Sequence, residues 1–305
     1  MSQIYVIAGP TASGKTAVAI ELAKKLDGEV VSADSMQIYK YMDIGTAKPT
    51  ASEMEGIPHH LIDVAEPDAY FSVADYTKLA TAAIEEIRTR GKVPIIAGGT
   101  GFYINALIRG AEFTDIEDNQ LREKYTALAA EKGAAFLHDK LQVIDPESAR
   151  TIHPNNIKRV VRALSFCEST GSLFSAHNAV QKQAASRYNA NFCVIDMPRE
   201  VLYSRINSRV MTMWEAGLPQ EVDGLLTQNY APTLTAMQGI GYKETVPFVN
   251  GVQSKEETIA QIQQATRNYA KRQLTWFRHQ AKNARIIDAT NKTPKEISQL
   301  CFTNI

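Results

Sequence analysis

The sequence predicts an α/β protein: a P-loop parallel sheet core flanked by helices, with an all-helical insertion domain. Three observations carry this. Gly9-Pro10-Thr11-Ala12-Ser13-Gly14-Lys15-Thr16 matches G-x-x-x-x-G-K-[ST] directly behind an apolar run. Short apolar runs then alternate with helix-period segments, as βαβ units require. Between about Phe113 and Asn189 the strand-like runs stop and only amphipathic helical windows remain.

In chain order, Ile4–Ala8 reads as the first strand, and Lys15–Leu26 as a helix with Ala17, Ile20, Leu22, Ala23 and Leu26 as apolar positions. Glu29–Ser32 and Val93–Ala97 read as further strands. The helical pattern Asp75–Arg90 lies between them and is stopped by Gly91 and Pro94. The windows Leu121–Lys132, Ala134–Gln142 and Asn156–Ser169 follow, joined by Asp145-Pro146 and His153-Pro154 turns. Strand patterning resumes at Phe192–Ile195, and several helices then lead to a last short strand at Arg285–Ile287. The expected organisation is therefore a core of residues 1–112 and 190–305 with an insertion at 113–189, hinged near 112–118 and 188–192. Ligands in such sheets bind beyond the carboxyl ends of the strands. Residues 9–16, Asp34-Ser35 and Gly98-Gly99-Thr100-Gly101 all follow strand ends, so one crevice can hold all three loops.

The balance of 33 basic and 33 acidic residues exerts no global pull on nucleic acid or membrane. Any polyanion contact must come from local clustering. The 3 cysteines are widely spaced and lack a C-x-x-C pair, which points to a reducing compartment and away from a zinc module. The 6 histidines lack ligand spacing, and His59-His60 reads as a structural pair. With no apolar run approaching 18 residues and a strand at the N-terminus, a cytoplasmic protein is expected, and a monomer.

The 9–16 loop supplies backbone N–H groups and a helix N-terminus to an anion. Lys15 adds a point charge, and Thr16 can offer its hydroxyl to Mg²⁺. Asp34 has three readings: a carboxylate that holds Mg²⁺ through water, a general base, or an Asx turn with Ser35. Asp63, Asp196 and Asp288 also end apolar runs and are its rivals. The Gly98-Gly99-Thr100-Gly101 loop is either a tight turn or a second ligand loop presenting Thr100. Arg205 and Arg209 form an i, i+4 pair, either salt-bridged on the surface or clamping a diphosphate. Residues 267–285 hold Arg267, Lys271, Arg272, Arg278, Lys282 and Arg285 without an acid. At 100° per residue, all but Arg272 share a sector of roughly 60° on one helix. Such a stripe is either a solvated face or the footprint of a phosphate backbone, with Tyr269, Trp276 and Phe277 there for stacking or packing.

In sequence order these segments resemble tRNA dimethylallyltransferases of the bacterial type. The resemblance is carried by residues 9–16, Ser32-Ala33-Asp34-Ser35-Met36-Gln37-Ile38-Tyr39, Asp43-Ile44-Gly45-Thr46-Ala47-Lys48-Pro49 and Gly98-Gly99-Thr100-Gly101-Phe102-Tyr103. It continues through His153-Pro154-Asn155-Asn156, Arg159-Val160-Val161-Arg162-Ala163-Leu164, Gly239-Ile240-Gly241-Tyr242-Lys243-Glu244 and Lys271-Arg272-Gln273-Leu274-Thr275-Trp276-Phe277-Arg278.

The resemblance implies transfer of a dimethylallyl group from dimethylallyl diphosphate to the exocyclic amine of adenosine at tRNA position 37. It implies diphosphate in the 9–16 loop, Mg²⁺ on Thr16, Asp34 as base, and Thr100, Lys15 and Arg209 as catalytic partners. It also implies tRNA contacts at Asp34, Ser35, Met36, Gln37, Thr100, Arg122, Lys158, Arg159, Val160, Val161, Arg162, Gln238, Gly239, Ile240, Gly241, Tyr242 and Lys243, and along 271–278. The insertion would grip the anticodon stem. Lys40-Tyr41 and Gly239 depart from the usual Arg-Gly and Ala of such enzymes. The rivals are a P-loop kinase or NTPase that binds ATP, a prenyltransferase on free adenine nucleotides, and a non-catalytic RNA-binding module.

Overall fold

The computed structural model describes residues 3–110, 119–183, 186–281 and 283–302. The chain divides into two compact units, residues 1–110 with 187–305, and residues 111–186. The expected hinge at 112–118, the start of the insertion at Phe113, and Lys282 of the basic stripe lie outside the described residues.

The larger unit is built on six parallel strands, β1 (Gln3–Ala8), β2 (Gly28–Ser32), β3 (His59–His60), β4 (Val93–Gly98), β5 (Asn189–Asp196) and β6 (Arg285–Asp288), in the order β3-β2-β4-β1-β5-β6. Its first helices are α1 (Lys15–Leu26), α2 (Ala51–Met54), α3 (Val73–Thr89) and α4 (Gly101–Arg109). The second unit contains α5 (Asn119–Lys132), α6 (Ala134–Ile144), α7 (Pro146–Thr151), α8 (Ile157–Thr170) and α9 (Phe174–Gln183). Helices α10 (Arg199–Glu215), α11 (Leu218–Thr227), α12 (Tyr242–Val249), α13 (Lys255–Gln280) and α14 (Pro294–Phe302) complete the larger unit. No helix among the described residues is long and apolar enough to cross a membrane.

Strand periodicity sorts the core. Tyr5 and Ile7 of β1 join Val18, Ala19 and Leu22 of α1, with Leu202 and Ile206 of α10, on one face of the sheet. Ile4, Val6 and Ala8 face the other way, onto Ala80, Ile84 and Ile87 of α3 and Ile104 of α4. Residues i and i+2 share a face, so a one-residue slip of β1 would exchange the two cores. A third apolar cluster joins Ile38, Tyr39 and Met42, after β2, to Trp214, Leu218, Val222 and Tyr242. It anchors the long β2–β3 connection to α10, α11 and α12.

The second unit has its own core of Tyr125, Leu137, Leu141, Val160, Val161 and Leu164. Asp145, completely buried, organises it: Ser148 N (3.0 Å), Ser148 Oγ (2.7 Å) and Ser175 N (2.8 Å) all donate to its carboxylate. Asp145-Pro146, expected as a turn, is thus the N-cap and first residue of a short helix, because aspartate caps and proline at N1 favour initiation.

Three further points of the sequence reading are revised. β3 escapes a hydrophobicity reading because two half-buried histidines pair with Val30 and Val31 at the sheet edge. β6 is not the last element, since α14 packs back through Ile297 and Cys301 into the first core. The basic stripe does not run along one helix to residue 285, since α13 ends at Gln280 with Ala281 as its C-cap. Arg285 instead opens β6 and donates to Leu300 O of α14, tying strand to helix.

Candidate active site

The β1 loop begins at the strand's carboxyl end and turns through Ala12 at φ 62° and Gly14 at φ 88°. Left-handed conformations tilt successive peptide N–H groups toward one concavity, and glycine tolerates them without steric cost. α1 starts without a side-chain cap, so its first N–H groups have no protein side-chain acceptor at Gly14. Ser13 Oγ is buried and has no hydrogen-bond partner among the described residues. Buried hydroxyls are nearly always satisfied, so an unpartnered one in this concavity suits an anionic ligand.

Lys15 is half-buried and its Nζ donates to Pro10 O at 2.8 Å. Desolvation lowers its pKa to about 8; the Asp34 carboxylate pulls it up and Arg209 pushes it further down. Arg209 comes from α10 and is itself lowered by burial, opposed by the charges of Asp34 and Glu53. One turn earlier, Arg205 sits so that its Nη2 lies 3.5 Å from where a Cβ on Gly14 would stand. Neither arginine forms an ion pair among the described residues, and both face the loop. Three cations gathered near the carboxylates of Asp34 and Glu53 leave a positive excess that suits an anion.

The second and third loops meet the first because β2, β4 and β1 are neighbours. Thr100 N donates to Ala33 O at 3.1 Å and Ser35 N donates to Thr100 Oγ1 at 3.0 Å. The approach is close enough that a Cβ at Gly98 would lie 2.1 Å from Ala33 O. Asp34 Oδ1 accepts from Met36 N (2.9 Å) and Gln37 N (3.4 Å), an Asx turn. Its Oδ2 has no hydrogen-bond partner among the described residues, so one oxygen holds the loop and the other is left for chemistry. The rival aspartates are otherwise engaged: Asp63 with Lys48, Asp196 with Arg278, and Asp288 with Thr290.

Two side chains from α13 complete the cluster. Gln273, buried, accepts from Thr11 N at 2.8 Å and donates to Gly99 O at 2.9 Å. Tyr269 lies beside Thr100 and Gln273, and burial, then the charge of Asp34, raises its pKa to about 12. The family resemblance puts Gln273 among RNA contacts, and the sequence pattern leaves Tyr269 between stacking and packing. Nothing in the local pattern shows that a residue 262 positions away touches Thr11.

The remaining predicted contacts divide by burial. Lys158, Arg159 and Arg162 are exposed on α8 and Arg122 is half-buried on α5, all in the second unit, whereas Val160 and Val161 are buried in that unit's core. Gln238, Lys243, Lys271, Arg272, Thr275 and Arg278 are exposed in the larger unit, with Ile240 and Leu274 half-buried. Tyr242 and Phe277 are core residues, and Gly239 and Gly241 are buried. Trp276 packs where a Cβ on Gly101 would stand 2.2 Å from its ring. Val160, Val161, Gln273, Tyr242 and Phe277 are therefore buried and offer little side-chain surface to a partner. Contiguous sequence ranges overcount, because only one face of a helix meets solvent. Gln37 is also committed: its amide accepts from Ser32 Oγ (3.1 Å) and donates to Thr46 O (3.3 Å) and Ala47 O (3.2 Å).

This fold and site define a P-loop α/β protein with a carboxylate and a hydroxyl set beside a phosphate cradle. The family model described as IPP transferase matches residues 37–280, and the chain belongs to that family. It is 52% identical over 279 residues to a tRNA dimethylallyltransferase of Acetivibrio thermocellus, covering 91% of this chain and 89% of the relative. The corresponding protein of Caldanaerobacter subterraneus is 50% identical over 282 residues, with 90% and 89% covered. Among solved structures, a tRNA isopentenylpyrophosphate transferase from Staphylococcus epidermidis is 44% identical and superposes with a TM-score of 0.73 over 99% of this chain and 98% of that one. A eukaryotic dimethylallyltransferase acting on tRNA reaches 0.84 at 30% identity, over 95% and 75%.

Proposed function

We propose that this chain transfers a dimethylallyl group from dimethylallyl diphosphate to the exocyclic amine of adenosine at position 37 of tRNA, releasing diphosphate. The observation that carries the reading is the meeting of the Lys15 loop, the Asp34 carboxylate and the Thr100 hydroxyl at adjacent strand ends.

The diphosphate lies in the 9–16 loop against backbone N–H groups, the free Ser13 hydroxyl, Lys15 and the Arg205–Arg209 pair. The amine nitrogen bonds to C1 of the dimethylallyl group as the C1–O bond to diphosphate breaks, and the displaced N–H proton passes to Asp34 Oδ2. Charge then grows on the diphosphate oxygens, where three fixed cations meet it without reorganising. Thr100 holds the Asp34 loop and offers its hydroxyl to the incoming base. The base must leave its stack to reach a carboxylate set at a strand end. The residues fit Mg²⁺: the half-buried Thr16 hydroxyl has no hydrogen-bond partner among the described residues, and this ion takes one or two protein ligands, phosphate oxygens and waters. When bound, it would neutralise leaving-group charge. Exposed Lys158, Arg159 and Arg162 in the helical unit, with Lys243, Lys271, Arg272 and Arg278 in the core unit, are the cations that would meet the anticodon stem-loop backbone.

The test is label transfer from radiolabelled dimethylallyl diphosphate, with Mg²⁺, into unmodified tRNA or AMP. Label is expected in tRNA only. Asp34→Asn keeps an Oδ1 acceptor for the Asx turn but cannot take the proton, so kcat should fall on the order of 10²–10⁴-fold with tRNA affinity unchanged. Label in AMP would make this a free-nucleotide enzyme. ATP hydrolysis without label would make it an NTPase.

A further inference from the structure

We infer that Gln273 is a positioning residue that couples the diphosphate loop to the acceptor loop, and not an RNA contact. The inference rests on the transferase reading above and names a part that family motifs do not separate from the exposed residues around it.

Three observations carry it. The Gln273 amide spans two loops, taking a hydrogen from Thr11 N at 2.8 Å and giving one to Gly99 O at 2.9 Å. The side chain is only 6% exposed on a helix whose neighbours Lys271 and Arg272 are in solvent. A Cβ at Gly99 would stand 2.3 Å from Gln273 Nε2, so the loop has closed onto the amide as far as a residue without a side chain allows. The peptide after Gly99 belongs to Thr100, whose hydroxyl holds Ser35 N beside Asp34. A shift of the 9–16 loop on binding diphosphate is therefore passed through one rigid amide to the group that sets the base and the carboxylate. An amide suits this because it supplies one acceptor and one donor in a fixed plane.

Gln273→Glu is isosteric and keeps an acceptor for Thr11 N, but it sets a carboxylate oxygen against Gly99 O. Gln273→Met keeps much of the volume and neither bond. Both are assayed beside wild type for single-turnover label transfer, diphosphate affinity, tRNA affinity and melting temperature, alone and with Thr100→Ala. The expected result is a loss in transfer rate of roughly 10–100-fold for both variants, with tRNA and diphosphate affinities within about threefold of wild type. With Thr100→Ala present, the additional loss from Gln273→Glu should shrink below about threefold, because Gln273 acts through Thr100. Weakened tRNA binding with an unchanged single-turnover rate would overturn the inference in favour of an RNA contact. A full additional loss in the Thr100→Ala background, or a rate like wild type, would overturn it as well. If Gln273→Glu melts early, Gln273→Met decides by the same criteria. A wild-type enzyme that transfers no label would instead remove the transferase reading, so the two failures are distinguishable.

Discussion

Raising the pH should weaken diphosphate binding while strengthening the empty fold, and Lys15 is the group that links the two. Its pKa is lowered to about 8 by desolvation. In the unfolded chain a lysine titrates near 10.4. Between those values the unfolded state binds more protons than the native state, so stability rises with pH across that window. The gain is at most roughly 3 kcal/mol, since Lys15 is half-buried and the shift is a little over two units. Binding runs the other way. A diphosphate seated on Lys15 stabilises its proton and returns the pKa toward 10 or above. A proton must then be taken up on binding wherever the free lysine has lost it. For pKa values of about 8 free and 10 bound, linkage gives an affinity loss of about ninefold from pH 7 to pH 9.

Lys15→Arg is the control, because a guanidinium stays charged throughout. Titration calorimetry with magnesium diphosphate would follow both proteins. Diphosphate's own protonation affects both alike and cancels in the ratio of their constants. A ratio constant within about twofold between pH 7 and pH 9 would refute the assignment of the charge to Lys15, as would an unliganded fold that loses stability between pH 8 and pH 10.

Other perturbations separate the roles of parts of the molecule; Asp34→Asn should slow transfer on the order of 10²–10⁴-fold and spare tRNA binding, as label transfer and filter binding would show. Gly98→Ala would press a Cβ to 2.1 Å from the backbone oxygen of Ala33 and should cost about 3 kcal/mol or more, whereas Gly239→Ala meets the end of the flexible Met36 side chain at 2.5 Å and backbone, Ala236 O, only at 3.1 Å, and should cost less, about 1 kcal/mol, in urea unfolding. Glu221 accepts from Asp43 N (2.8 Å), Ile44 N (2.7 Å), Gly45 N (3.0 Å) and the Tyr242 hydroxyl (2.6 Å), so Glu221→Gln, which turns an amide donor onto these donors, should lower stability by about 2–4 kcal/mol; a melting curve like wild type would remove Glu221 as the clasp of the 43–47 loop. Burial raises the Asp145 carboxyl, but hydrogen bonds from Ser175 and Ser148 outweigh it and leave its pKa below the ordinary value. Its stabilisation is therefore present above about pH 4 and lost as pH falls through the lower, folded value. Asp145→Ala should loosen residues 111–186 by about 2–4 kcal/mol at pH 7, seen as faster proteolysis within that unit alone.

The parts of this protein that the sequence determined by itself are those whose physics is local. The 9–16 loop was legible because a left-handed turn demands glycine, a phosphate demands a cation, and both requirements sit within eight adjacent residues. β1, β2, β4 and β5 were legible because buried parallel strands read as unbroken apolar runs, and α1 because its apolar face repeats at helical spacing. Asp34 was legible as a candidate but not as the choice among four aspartates. Tertiary structure separates the four by place, setting Asp34 near Lys15 and Arg209 while Asp63, Asp196 and Asp288 meet Lys48, Arg278 and Thr290. It also put Gln273 against Thr11 and Gly99, set Arg205 and Arg209 beside Gly14 and Lys15, buried Val160 and Val161, and ended α13 before Arg285. The physical reason is the same in each case. Composition and periodicity report how a segment meets its own neighbours, whereas hydrogen bonds and charges across hundreds of residues depend on strand order and helix packing, which no local window contains.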